Sequence, residues 1–239
     1  MNDSVRVLGV PTDYGASRRG VDMGPSAIRY AGLGATLDAM GLESTDAGDL
    51  SVPRIESRDP GRDDAKYLPV VESVCRRLAD RVAGTLAGGE APLVLGGDHS
   101  IAIGSLAGTA RGADVGVLWF DAHGDFNTPA TTPSGNVHGM ALAAALGRGE
   151  FADLDWAPAP GLDPSRVALV GLRDLDSGER AALRESDVHA YTMSDVDDRG
   201  VTAVVDDAVA AAGGGDGVHV GLDLDWLDPT EAPGVGTPV

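Results

Sequence analysis

The sequence predicts a three-layer α/β/α fold with a mostly parallel central sheet. Short apolar runs alternate with longer helix-patterned stretches along the chain, the signature of a parallel sheet covered on both faces. The 239 residues suffice for one large domain with a well-buried core, and no internal repeat or linker-like stretch divides them. Three of the apolar runs end in acidic residues and histidines, at the strand ends where parallel α/β proteins bind ligands.

The elements follow in order. Val5 to Val10 reads as the first strand, and Gly24-Pro25-Ser26 opens a helix through Met40, with Pro25 suited to its first turn. Arg62 to Leu86 reads as a long helix in which Pro69 argues for a break or kink. Pro92 to Leu95 is a strand, followed by a helix from His99 to about Ala110. Val115 to Asp121 is another buried strand, and Gly139 to Leu146 a short Ala-rich helix. Arg166 to Gly171, Val188 to Tyr191 and Val218 to Asp223 complete the strands, with helices at Ser177 to Glu185 and Val201 to Ala212 between them. Gly213-Gly214-Gly215 ends the last helix, because glycine tolerates left-handed backbone.

Composition excludes several classes. The formal net charge is −19 and Lys66 is the only lysine, which disfavours nucleic acid and anionic membranes as partners. Many Asp beside almost no Lys resembles proteins of salt-accumulating halophiles, whose charge needs salt to screen it. No run of about 18 apolar residues forms a transmembrane helix. Met1-Asn2-Asp3-Ser4 lacks the layout of a signal peptide, so the expected compartment is the cytoplasm. Cys75, the single cysteine, reads as a packed thiol on a helix.

The chemistry lies in three segments: Gly96-Gly97-Asp98-His99-Ser100, Asp121-Ala122-His123-Gly124-Asp125 and Asp223-Leu224-Asp225. Alternate residues on extended chain share a face, so Asp121, His123 and Asp125 point one way, as do Asp223 and Asp225. Three ionisable groups directly after Val-Leu-Trp-Phe are costly to bury without compensation, which metal ions supply. With His99 the set holds two imidazoles and four carboxylates, more than one ion needs. The donors suit Mn, Fe, Co or Zn, and the carboxylate excess favours Mn. The first segment, taken alone, is also an ordinary glycine-rich turn, in which Asp98 reads as a carboxylate orienting an imidazole. His219, inside a strand, reads as a packed core histidine. His138, in the Ser134-Gly135-Asn136-Val137-His138-Gly139 loop, is either a surface group or a proton shuttle near neutral pH.

Together the three segments resemble the ureohydrolase superfamily, the arginase and agmatinase group. Arg18 through Tyr30, Ser134 through Gly139 and Asp223 through Pro238 extend the resemblance over essentially the whole chain. It implies hydrolysis of L-arginine to L-ornithine and urea at two Mn2+. His99 and Asp125 would hold one ion, His123 and Asp225 the other, with Asp121 and Asp223 bridging. Two cations about 3.5–4 Å apart lower the pKa of a shared water towards neutrality. Asp125 would orient that nucleophile and take its proton, and His138 would shuttle protons with solvent. Asn127, Ser134 and Asn136 would bind the substrate α-carboxylate, Asp176 would serve the α-amino group directly or through water, Glu179 would also bind substrate, and Thr237 would line the guanidinium pocket. Agmatine has no α-carboxylate, so these loop residues favour arginase over agmatinase, guanidinobutyrase or formiminoglutamase. The resemblance further implies a homo-oligomer, trimer or hexamer.

Two departures stand out. Trp226 occupies a position where arginases commonly carry Gly, and is expected to narrow or reshape the wall of the metal pocket. The chain ends at Val239 inside a family motif, whereas ureohydrolases continue with another strand, a final helix and a Glu that holds the guanidinium. On that basis residues 1–239 are expected to be poorly stable and weak in activity, or an inactive metal-binding fragment.

Overall fold

In β1 (Ser4–Val10), Leu8 and Val10 point one way and Val7 the other, so its apolar run serves two cores at once. The computed structural model describes residues 4–16, 19–53 and 59–239; Met1 to Asp3 and Arg18 lie outside them. After β1 come α1 (Gly24–Tyr30) and α2 (Leu33–Ala39), then β2 (Glu43–Asp49). The expected helix from Gly24 to Met40 is thus two helices, broken where Gly32 takes φ +100°. A hairpin of β3 (Gly61–Arg62) and β4 (Ala65–Lys66) precedes α3 (Leu68–Ala87). Pro69 therefore sits in the first turn of α3, where its missing N–H costs nothing, and the expected kink does not arise.

β5 (Ala91–Gly96) leads into α4 (Ile101–Thr109), and β6 (Val115–Phe120) into the loop before α5 (Ala141–Ala145). β7 (Val167–Leu172), α6 (Ser177–Arg184), β8 (His189–Thr192), α7 (Met193–Arg199), α8 (Val201–Ala212) and β9 (Gly217–Leu222) complete the order. At the end of α8, Gly213 is extended and Gly214 takes the left-handed turn, φ +94°.

Among the described residues the strands form two parallel sheets, β2-β1-β5 and β8-β7-β6-β9. The inner strands β1, β6 and β7 are covered on both faces, whereas Val218, Val220 and Leu222 leave one face of β9 exposed. Leu8 and Val10 pack with Val74, Leu78 and Val82 of α3, while Val7 meets Leu37 of α2. Val117 and Trp119 face the cluster containing Ile103, Leu106 and Leu142, whereas Leu118 faces Val204, Ala208 and Ala212 of α8. This is the α/β/α layering that the alternation of runs predicted. α4 approaches α3 closely because Gly104 and Gly108 lack side chains; a Cβ on Gly104 would lie 2.6 Å from the Cys75 carbonyl. No helix among the described residues is long and apolar enough to cross a membrane.

Trp226 does not narrow the pocket as expected. Its indole lies edge-on to Phe120, 5.3 Å between ring centres, and over Gly171, whose φ is +96°. A Cβ there would fall 2.0 Å from Trp226 Nε1. Gly171→Ala is therefore expected to destabilise the fold by about 2–4 kcal/mol, from overpacking plus left-handed backbone. A denaturant melt checks this, and a change below about 0.5 kcal/mol would contradict the packing described.

Candidate metal centre

The carboxyl ends of β5, β6 and β9 converge. The sharp turn after β5 carries His99, whose ring stacks on Trp119 at 4.3 Å. β6 runs into Asp121, which is 1% exposed. Its Oδ2 accepts from Trp119 Nε1 at 3.0 Å and its Oδ1 from the His123 backbone N–H at 2.8 Å. The backbone N–H of Asp223 donates to the Phe120 carbonyl at 2.9 Å, so β6 fixes the end of β9. Asp125, two residues past His123, sits at φ +47°.

His99 Nδ1 lies 3.1 Å from Asp121 Oδ2, 3.0 Å from Asp125 Oδ2 and 3.3 Å from Asp223 Oδ2. His123 Nδ1 lies 3.4 Å from Asp121 Oδ1 and 3.1 Å from Asp225 Oδ2. Two groups have donor atoms close enough to share a cation: His99, Asp121 and Asp223, and Asp121, His123 and Asp225. Asp121 belongs to both. Asp223 falls with His99 alone, and Asp125 stands beside that group, reaching it through His99. Buried His99 Nδ1 and Asp125 Oδ2 make no aligned hydrogen bond. Atoms that crowd together without pairing aim at a common point, and their mixed nitrogen and oxygen character is that of a divalent-cation cradle. The residues present therefore fit a binuclear metal site.

The electrostatics agree. Burial opposes charge on both imidazoles, yet the surrounding carboxylates win. Asp121, Asp125 and Asp223 hold His99 well above its ordinary pKa, and Asp121 and Asp225 push His123 up to about 11. Burial, then the neighbouring Asp121, raises Asp125 well above the carboxylate range. Burial lowers the pKa of His138.

Above this floor opens a cleft of about 240 Å³. Its walls include His123, Asp125, Asn127, Ser134, His138, Asp176, Glu179, Asp223, Asp225 and Thr237. His99, Asp121 and Asn136 do not line it; Asn136 and Asp121 are buried, and the Asn136 N–H donates to Ser134 Oγ at 3.2 Å. Asn127 Nδ2 donates to Asp176 Oδ2 at 2.7 Å, while Asp176 Oδ1 caps α6 through the N–H groups of Gly178 and Glu179. Glu179 Oε1 accepts from the Phe126 N–H at 3.1 Å, tying α6 to the metal loop, and burial raises its pKa. Thr237 Oγ1 donates to Asp225 Oδ2 at 2.8 Å. Lys66 holds the polar loop, its Nζ donating to the Ser134 carbonyl at 2.8 Å and its backbone N–H to that of Gly135 at 2.9 Å.

Three sequence expectations resolve here. Asp98 orients no imidazole: it accepts from Thr12 Oγ1 and the N–H groups of Gly15 and Ser100, pinning the loop after β1 to the turn after β5. His219 is a hydrogen-bonded core histidine, its Nδ1 3.2 Å from Thr109 Oγ1 and its pKa lowered to about 4 by burial. Cys75 is a packed thiol donating to the Ser100 carbonyl, its pKa pushed up to about 12 by burial. Asp174, whose Oδ2 is 3.8 Å from His123 Nε2, also lines the cleft. The sequence pattern did not single it out; its place just after β7 was the available signal.

Comparison with known proteins agrees with this geometry. A family model described as the arginase family matches residues 3–239. Arginase of Bacillus subtilis (strain 168) is 48% identical, the match covering 100% of this chain and 81% of that protein. The crystal structure of arginase from Bacillus cereus superposes with TM-score 0.91 at 47% identity, covering 99% of this chain and 80% of that one. That of Bacillus caldovelox arginase superposes with TM-score 0.92 at 46% identity, covering 98% and 80%. A binuclear donor set at the ends of parallel strands, a fold superposable on arginases and a match spanning the chain lead to one assignment: the chain belongs to the arginase family.

Proposed function

We infer that the protein hydrolyses the guanidinium group of L-arginine, giving L-ornithine and urea, with residues 1–239 acting within a single ureohydrolase domain. The crowding of His99 Nδ1 against three carboxylates, beneath a cleft walled by amide, hydroxyl and carboxylate groups, is the observation that carries this reading. His99, Asp125 and Asp223 would hold one Mn2+, His123 and Asp225 the other, and Asp121 would face both. When bound, such a pair lowers the pKa of a water towards neutrality and so supplies a nucleophile at physiological pH.

The remaining work falls to the chain. Asn127 and Ser134 receive the α-carboxylate, with Asn136 buried in the loop beside Ser134; Asp176 receives the α-amino group, and Glu179 lines the cleft beside it. Thr237 flanks the guanidinium while steadying Asp225. The water oxygen bonds to the guanidinium carbon and the bond from that carbon to Nε breaks. Asp125, whose Oδ2 lies 3.0 Å from His99 Nδ1 on the floor of the cleft, passes the water's proton to the departing Nε. His138, kept neutral by burial, relays protons between cleft and solvent. The reading extends to a cytoplasmic homo-oligomer, trimeric or hexameric, and the charge of −19 supports a high-salt environment.

Urea release from L-arginine, agmatine and formiminoglutamate tests the substrate, and turnover of L-arginine above the others is expected. Asn127→Ala is expected to raise KM for L-arginine about 10–100-fold, the loss of one hydrogen bond to a charged group, and to leave agmatine turnover unchanged. Preference for agmatine by the metal-loaded protein would overturn the assignment.

A further inference from the structure

Arg173, just past β7, makes no ion pair with an Asp or Glu side chain among the described residues, although acidic groups surround it. Its guanidinium instead gathers main-chain oxygens. Nη1 donates to the Trp226 carbonyl at 3.1 Å, Nη2 to the carbonyls of Leu227, at 3.1 Å, and Asp225, and Nε to the main-chain oxygen of Val239 at 3.1 Å. The backbone N–H groups of Arg173 and Asp174 both donate to the Ala122 carbonyl, at 2.9 and 3.0 Å. The Ala122 N–H in turn donates to Asp225 Oδ1 at 3.3 Å. One residue thus joins the loop bearing Asp121 and His123 to the turn bearing Asp225.

We propose that Arg173 is a positioning residue that fixes Asp225 against His123 and so sets the affinity of one half of the metal centre. The inference rests on the binuclear reading above. Asp223 has an anchor of its own, the backbone bond to Phe120 that continues the sheet, and touches the turn only through its Oδ1, which accepts the Asp225 N–H at 3.0 Å, whereas Asp225 lies inside the turn whose carbonyls converge on Arg173. The effect is therefore unequal: the half built on His123 and Asp225 depends on Arg173 far more than the half built on His99 and Asp223. Arginine is required by shape, since its rigid fork presents five donors in one plane, while lysine offers a single ammonium.

The test is Mn2+ binding by equilibrium dialysis against a competing chelator, with melting temperatures recorded alongside. The wild-type chain is expected to bind two ions. Arg173→Lys is expected to weaken one site about 10–100-fold, the usual loss when an outer partner of a metal ligand is removed, and the other far less. Arg166→Lys is the control: Arg166 also binds a carbonyl, that of Ala212 at 3.2 Å, but lies at the opposite end of β7. It is expected to lower the melting temperature without changing either site. Equal weakening of both sites in Arg173→Lys, or no weakening, would overturn the proposal, as would a profile matching the control. If Arg173→Lys does not fold, Arg173→Gln, which keeps two donors, is read the same way, and failure of both to fold assigns Arg173 a purely structural role. A wild-type chain that binds no metal would instead sink the binuclear reading itself.

Discussion

Asp121→Asn is expected to abolish binding of both ions and lower kcat/KM for L-arginine by about 10³-fold or more. Loss of an outer partner alone costs about 10–100-fold in metal affinity, and among the described residues Asp121 is the one side chain within reach of both imidazoles. The substitution is nearly isosteric, so packing is spared, but it replaces an acceptor by an amide donor. Whichever way that amide turns, a donor faces either Trp119 Nε1–H or the His123 N–H. The metal-free fold loses one partner of both imidazoles, but Asp125 and Asp223 still face His99 and Asp225 still faces His123, so it should survive with reduced stability. Calorimetry should show a melting temperature below that of the metal-free wild type, with no rise on adding Mn2+. Retention of two ions and near-normal turnover would exclude Asp121 as the shared ligand.

Metal removal should have the second largest effect, and it should depend on pH. Without cations, His99 and His123 bind protons that the carboxylates hold on them, His123 up to about 11. A histidine whose folded pKa is raised stabilises the fold fully below its unfolded value near 6.5, and that contribution disappears as pH rises through the folded value. The metal-free protein should therefore lose stability between pH 6.5 and about 11. Cations compete with the same protons, so metal affinity should rise over this window and binding near pH 7.5 should release protons. At free Mn2+ about 100-fold above each dissociation constant, two sites add about 5 kcal/mol, a rise in melting temperature of about 10–20 °C. Isothermal titration in buffers of different ionisation enthalpy reads the proton count. Uptake without proton release would contradict the site's electrostatics.

Much of this was legible in the sequence, for physical reasons that differ by element. β1, β5, β6 and β7 are continuous apolar runs because both of their faces are covered, and such runs announce themselves. β2 escaped notice because Glu43–Asp49 is polar and largely exposed: it pairs with β1 through its backbone and lies at the sheet edge. α7 escaped because Met193–Arg199 is acidic and buries no side chain; its capping box at Thr192 and Asp195 was the overlooked signal. In the site, residue types and spacing named the donors, but not their grouping. His99 rides on a sheet separate from that of Asp121 and Asp223, so which carboxylate meets which imidazole is a tertiary fact. Arg173 was invisible for a related reason, since its partners are carbonyls, which every residue carries.

Anomalous diffraction from crystals of this chain grown with Mn2+ tests the central claim most directly. Two peaks are predicted, one among His99, Asp121, Asp125 and Asp223 and the other among Asp121, His123 and Asp225. A map with no peak there, or with ions held only by other residues, would contradict it.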